Sequence, residues 1–254
     1  LIRTGKHTGQ IMVCLIINGK TLPHADKLAD CLKDIGGMSS IMININKERT
    51  NVILGSECSV IWGNSYIEDS ICGIMFRISP LSFFQVNPVQ TEKLYRKALE
   101  YAELTGNETV WDLYCGIGTI GIALSSHAKK VIGIELNSQA VKDAQINADL
   151  NHIKNIQFVN EDAGDFLVRY AEGGRADVVI MDPPRSGSTP EFLRSLLQMK
   201  PKRIVYISCN PETQVRDVRV LQKGGYKVEA CEGYDMFPHT VHVETVVGLH
   251  RKDM

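Results

Sequence analysis

The chain has 254 residues, 44% of them hydrophobic and 22% charged, enough for one large domain or a domain with a small appendage around a real core. No run of eighteen apolar residues occurs, which excludes a membrane-spanning helix, and cysteines without a pairing pattern point to reduced thiols in a cytoplasmic protein. The net charge is −1, from 28 basic and 29 acidic residues, so a basic face for nucleic acid is not written into the bulk composition. The sequence opens on Leu1 with no charged-then-apolar leader and reads as part of something longer. Seven cysteines with no CxxC pair argue against a disulfide framework, a zinc knuckle or an iron–sulfur cluster, so no metal is expected.

Residues 1–80 read as a small α+β module. Ile11–Ile17 is a strand closed by the turn Asn18-Gly19, and Asp26–Ile35 is a short helix ending at Gly36-Gly37. Ser40–Ile45, Asn51–Leu54, Ser59–Trp62 and Ile71–Ile78 are further short strands. Residues 81–254 change regime. Val89–Ala102 has the helical spacing of Leu94, Ala98, Leu99 and Ala102. Strands then alternate with helices: Thr109–Leu113, helix Ile120–Ser125, Val131–Glu135, helix Ser138–Leu150 with Ser138 as N-cap, Ile156–Val159, Val178–Met181 and Ile204–Ser208. Short Val/Ile runs suit strands buried on both faces of a parallel sheet, and the alternation predicts a doubly wound α/β domain. Tyr226–Ala230 and Val241–Leu249 have no helix between them and predict an antiparallel pair closing the sheet.

Candidate chemistry gathers where these strands end. Asp112-Leu113-Tyr114-Cys115-Gly116-Ile117-Gly118-Thr119 is a glycine loop between a strand and a helix; NAD, FAD or S-adenosylmethionine could use it. Glu135 ends the next strand, where a carboxylate can accept ribose hydroxyls, and Asp162 follows the third, either lining a ligand or capping the next helix. Asp182-Pro183-Pro184-Arg185 forms a stiff turn after the fourth strand. Ser208-Cys209-Asn210-Pro211 places a thiol nucleophile at the same rim, and Glu244 lies near the end as an available base.

The segments FFQVN, DLYCGIGT, GIE, MDPPRSG, YISCNP and FPHTVHVETV, in order from Leu81 to the end, resemble the RNA (uracil-5-)-methyltransferase family. The resemblance implies a class I S-adenosylmethionine-dependent, Rossmann-like methyltransferase domain. It implies Cys209 as nucleophile and Glu244 as proton-abstracting base, with Gln85, Tyr114, Gly116, Thr119, Glu135, Asp162 and Asp182 lining the cofactor and target pocket. Phe84 and Phe237 are candidate stacking surfaces for a flipped base, with core packing the alternative. The ending FPHTVHVE is more similar to the 23S ribosomal RNA branch than to the transfer RNA branch, so 23S rRNA is the expected partner of a monomeric enzyme. Members of that branch often carry an oligonucleotide-binding barrel and an iron–sulfur centre; neither is visible here, and a separate RNA-binding segment would account for the missing basic charge.

Rival readings separate on the same residues. An exocyclic-amine methyltransferase would carry an aromatic residue where Arg185 stands and would need no cysteine. A cytosine-C5 enzyme would show Thr-Cys and Pro-Cys contexts, which are absent. A non-catalytic RNA-binding scaffold leaves Cys209 and Glu244 without a role, and a dehydrogenase leaves the thiol motif unexplained.

Overall fold

The computed structural model describes residues 1–50, 52–170 and 173–252, in two compact units, Leu1–Phe84 and Gln85–Met254. The first unit holds strands β1 (Ile2–Thr4), β2 (Ile11–Ile17), β3 (Met38–Ile45) and β4 (Glu57–Gly63) in one sheet of that order, with helix α1 (Ala25–Leu32) connecting β2 to β3. β2 and β3 run parallel; the outer pairs are antiparallel. Alternate apolar residues such as Met12, Cys14 and Ile41 are buried. Asp69, 1% exposed, accepts the amides of Lys6 and His7 at 2.8 Å each and pins the loop after β1.

Two expectations for this unit need correction, and one strand was not foreseen. Ile71–Ile78 is not one strand but the second half of a hairpin, β5 (Ile67–Ile71) and β6 (Ile74–Ile78). The reversal falls on Cys72 and Gly73, both at positive φ (54° and 78°), the geometry of a tight hairpin turn. The run Asn51–Leu54 starts on a residue outside those described, and Val52–Leu54 form no strand. β1 is a short edge strand whose three residues carry no pattern long enough to recognise.

The second unit is a seven-stranded sheet of order β12-β13-β11-β10-β7-β8-β9, where β7 is Thr109–Leu113, β8 Lys130–Glu135, β9 Ile156–Asn160, β10 Val178–Met181, β11 Arg203–Ser208, β12 Tyr226–Tyr234 and β13 Glu244–Arg251. The five strands β7 to β11 are parallel, and β13 inserts antiparallel between β11 and β12. Helices α2 (Pro88–Ala102), α3 (Thr119–Ser125), α4 (Ser138–Leu150), α5 (Ala163–Tyr170), α6 (Pro190–Met199) and α7 (Pro211–Lys223) connect or precede the strands, as expected for a doubly wound class I methyltransferase architecture.

Both faces of the central strands are dry. Trp111, Leu113, Val179, Met181, Tyr206 and Val247 point into a cluster with Phe166 and Leu167 of α5, Phe192 and Leu196 of α6 and Leu221 of α7. Their alternating neighbours Val110, Ile180 and Val205 are buried on the other face, where α2 packs on β11 and β13 through residues such as Leu94, Ala98 and Ala102. Each such side chain contributes about 1.5–3 kcal/mol relative to leaving it exposed. Gly133 in β8 is a close-approach glycine. A Cβ there would sit 2.7 Å from Phe158 Cδ1 and 2.9 Å from Cys115 Sγ. The N-cap of α4 is not Ser138 but Asn137, whose side chain accepts from the amides of Gln139 (2.9 Å) and Ala140 (3.2 Å).

Candidate active site

The parallel register sets the site. Leu113 pairs with both Ile134 and Met181, and Met181 with Tyr206. Tyr114, Glu135 and Asp182 therefore follow as one row along the carboxyl ends of β7, β8 and β10, with β11 running two residues further to Ser208. Because β13 is antiparallel, its first residue, Glu244, lies at this same rim.

At the loop after β7 the chain turns through left-handed Tyr114 (φ 68°), Gly116 (57°) and Gly118 (83°). Gly116 has open space where a Cβ would be, so a ligand can approach its backbone. Its amide donates to Glu135 Oε2 at 3.0 Å, and the Asn137 amide donates to Glu135 Oε1 at 2.8 Å. Two backbone donors thus fix a half-buried carboxylate beside the loop, with lone pairs left for hydroxyl groups. Asp112, 1% exposed, accepts the Gly121 amide at 2.8 Å and ties the following helix to β7. Burial pushes its carboxyl up to about 7, against that hydrogen bond and with a smaller push from Glu135.

The other expected lining residues divide. The Tyr114 ring stacks on Phe192 at 5.8 Å, and burial, with the charges of Asp162 and Asp217, raises its phenol above the ordinary range. Thr119 Oγ1 lies 2.8 Å from the Tyr95 hydroxyl. Asp162 Oδ1 accepts from the amides of Gly164 (2.8 Å) and Asp165 (3.1 Å), so this residue caps α5. Gln85, at the start of the unit, is buried, and its amide makes no hydrogen bond among the described residues. Phe84 packs on Phe76 of its own unit at 6.2 Å, and the half-buried Phe237 meets the His242 ring edge-on at 6.4 Å.

Cys209 and Glu244 come together. Ser208 pairs with Thr245 across β11 and β13, and one residue on, Cys209 and Glu244 flank the same gap between strands. Glu244 is 6% exposed, and burial raises its carboxyl above the usual range. Asp182 is pushed up to about 8, chiefly by burial and then by the charges of Glu244 and Asp112. The Cys209 thiol is raised by burial and by Glu244 and Asp182, with Arg185 opposing them. Among the described residues, neither the Asp182 nor the Glu244 carboxylate has a hydrogen-bond partner. The rim therefore concentrates three acids and a thiol in one partly dry place, the arrangement of a proton-handling site.

Arg185, which in the sequence marked the end of the Pro-Pro turn, and Asp217, which gave no signal of its own, help to build this rim. Arg185 carries its guanidinium to 3.4 Å from His242 Nδ1, and its carbonyl accepts from Asn210 Nδ2 (3.1 Å) and Thr213 Oγ1 (3.2 Å), fastening the Pro-Pro turn to α7. Asp217, fully buried, accepts the Ser188 amide at 2.7 Å, the Tyr206 hydroxyl at 2.8 Å and Arg216 Nε at 2.8 Å.

The comparisons with known proteins agree with this geometry. The profile of the family described as tRNA (uracil-5-)-methyltransferase matches residues 24–252. An RNA methyltransferase of Halalkalibacterium halodurans, itself uncharacterized, is 50% identical over 253 residues, 99% of this chain and 55% of the relative. One from Clostridium tetani is 47% identical over 249 residues, 97% of this chain and 54% of its own length. The chain thus spans about half the length of these relatives. Among solved structures, the Pyrococcus abyssi tRNA (uracil-54, C5)-methyltransferase in complex with S-adenosyl-L-homocysteine superposes with a TM-score of 0.82 at 34% identity, over 98% of this chain and 58% of that one. The M. jannaschii tRNA m1G37 methyltransferase, at 14% identity and a TM-score of 0.61 over 99% of this chain and 76% of that one, shares the fold. Fold, rim geometry and sequence together place this chain in the tRNA (uracil-5-)-methyltransferase family.

Proposed function

We propose that this chain is the catalytic part of a cytoplasmic, monomeric RNA (uracil-5-)-methyltransferase that uses S-adenosylmethionine and forms 5-methyluridine through a cysteine adduct. The observation that carries the reading is the juxtaposition of Cys209 and Glu244, each one residue beyond the Ser208–Thr245 pair of β11 and β13, at the rim that also holds Gly116, Glu135 and Asp182. The residues present fit the cofactor. The open Gly116 backbone and the doubly held Glu135 carboxylate suit the polar end and ribose diol, and Asp182 offers an unpaired carboxyl beside them. Thr119, Gln85 and Tyr114 complete the lining in this reading. Asp162 does so through Oδ2, because its Oδ1 is committed to α5.

The cofactor, when bound, supplies an electrophilic methyl group. Uracil C5 is too weakly nucleophilic to take that methyl unaided. Cys209, as thiolate, adds to C6, and the electrons of the C5–C6 double bond move to C5, which takes the methyl. Glu244 then removes the C5 proton. The C5–H pair re-forms the double bond, the C6–S bond breaks, and the thiolate leaves. Asp182, beside Cys209 and Glu244, is placed to hydrogen-bond the base edge, and its raised carboxyl lets it donate as well as accept.

The substrate we favour is 23S rRNA, on the FPHTVHVE ending. Transfer RNA is the second reading, favoured by the Pyrococcus abyssi neighbour named for uracil-54 of tRNA. Both are tested together by intact-protein mass after incubation with S-adenosylmethionine and 5-fluorouridine-substituted 23S or transfer RNA. Fluorine cannot be abstracted by Glu244, so a methylated RNA adduct should persist with one RNA and vanish in Cys209→Ala. With ordinary RNA, Glu244→Gln should trap the methylated complex. A fully active Cys209→Ala protein would sink the reaction class.

A further inference from the structure

Helix α7 buries a polar stripe where an apolar one is the norm. The N-cap Asn210 and Thr213, both half-buried, and Gln214 and Asp217, both buried, share one face at the spacing i, i+3, i+4, i+7, and each grips a loop or strand of the rim. Gln214 is the central member, 3% exposed, with both ends of its amide used. Its Nε2 donates to the Tyr206 carbonyl of β11 at 2.9 Å, and its Oε1 accepts from Thr245 Oγ1 of β13 at 2.7 Å. The Thr245 hydroxyl also lies 3.2 Å from the Ser208 carbonyl, so its proton is shared between the helix and β11. One side chain therefore bridges the strand that leads to Cys209 and the strand that begins with Glu244.

The bridge matters because of what Glu244 lacks. Its carboxylate has no hydrogen-bond partner among the described residues, and it is the first residue of β13, where a strand is least restrained. Its backbone pairs with Tyr234 of β12, but on the β11 side, where Cys209 lies, its place is set through Thr245, which pairs with Ser208. Cys209 has independent support, since Ser208 Oγ accepts the Asn210 amide at 3.0 Å and Asn210 is fixed to Arg185.

We infer that Gln214 and Thr245 are positioning residues that hold the base, Glu244, in register with the nucleophile, Cys209, so that their loss slows removal of the C5 proton while leaving thiol addition and methyl transfer largely intact. This rests on the reading of Cys209 and Glu244 given above. A buried polar pair kept at such a place, with every polar atom satisfied, fixes a geometry that two apolar residues would not.

The experiment separates the two halves of the reaction in the complete protein. Adduct formation with 5-fluorouridine-substituted 23S and transfer RNA reports thiol addition and methyl transfer only. Tritium release from the same RNAs carrying [5-³H]uridine requires Glu244. In Thr245→Val, which keeps shape and removes the hydroxyl, adduct formation should stay within about threefold of native. Tritium release should fall about tenfold to a hundredfold, a fraction of what a general base supplies, and methylated RNA–protein complex should accumulate. Thr245→Ser should restore release, and Gln214→Leu should repeat the Thr245→Val pattern. Equal losses in both assays, or no loss in release, would overturn the inference. Failure of the native protein to form any adduct would instead overturn the reaction class beneath it, and the inference with it.

Discussion

At the level of single residues, the rim works against the fold. Asp182 has an ordinary carboxyl value of 3.8 when exposed and about 8 in the folded chain, chiefly through burial. Asp112 behaves alike, at about 7. Between these limits the folded state holds protons that the unfolded chain releases, so stability falls as pH rises from about 4 through about 8. This is the reverse of an ion-paired carboxylate, and it follows from placing acids in a partly dry site without cationic partners. Asp182→Asn should therefore be more stable than the native chain at pH 8.5, by roughly 1–3 kcal/mol, with little difference near pH 4. Urea unfolding across that range would show it, and parallel stability curves for the two proteins would refute it. The Cys209 thiol, raised by burial above its ordinary value of 9.0, should make single-turnover methylation climb with pH through neutrality.

Among the elements, helix caps show where sequence reading reaches and where it stops. Asn137 and Ser138 are both good capping types in adjacent positions, and nothing in the one-dimensional pattern chooses between them. In the structure Asn137 caps, and its amide also holds Glu135 Oε1, so one residue ends the loop of the acid and starts α4. Asn137→Ala should cost about 0.5–2 kcal/mol in chemical denaturation, whereas Ser138→Ala should cost little. A larger loss from Ser138→Ala would reverse the assignment. The parallel strands were legible because burial on both faces leaves unbroken Val and Ile runs. Cys209, Glu244, Glu135 and Asp182 were legible because strand ends and motif order placed them on one rim. The β5–β6 hairpin was not, since Cys72 is an unusual residue for a left-handed turn position. Gln214 and Asp217 were not either. Polar residues on an amphipathic helix read as solvent-facing, and only the tertiary partners Tyr206, Ser188 and Thr245 show that they point inward. Asp162, open to two readings in sequence, caps α5 through Oδ1, and the two readings are compatible because that bonding leaves Oδ2.

For the molecule as a whole, charge and length bear on the same question. Affinity for an RNA backbone comes from phosphates neutralised by Lys and Arg, and each neutralised phosphate steepens the dependence on salt. This chain has 28 basic residues against 29 acidic ones, and many of the basic ones are already spent. Arg203 is held by Glu103 and Glu229, Lys97 by Glu100 and Glu232, and Arg216 by Asp217. The relatives are about twice as long, so the remainder of such a protein has ample length to carry a separate RNA-binding surface. Cofactor contacts, in contrast, are all drawn from residues 85–182 of this chain in our reading. Two titrations then have different expected outcomes when this chain is compared with the full-length Halalkalibacterium halodurans relative. S-adenosylhomocysteine should bind both with affinities within about tenfold of each other, because the glycine loop and Glu135 lie in the shared part. RNA should bind this chain more weakly and with a shallower slope of log affinity against log salt, by roughly 0.7–0.9 for each phosphate that the shorter chain leaves unneutralised. Equal slopes would mean that the phosphate-binding residues lie within these 254, and would direct the search to the basic residues of this chain rather than to a further segment.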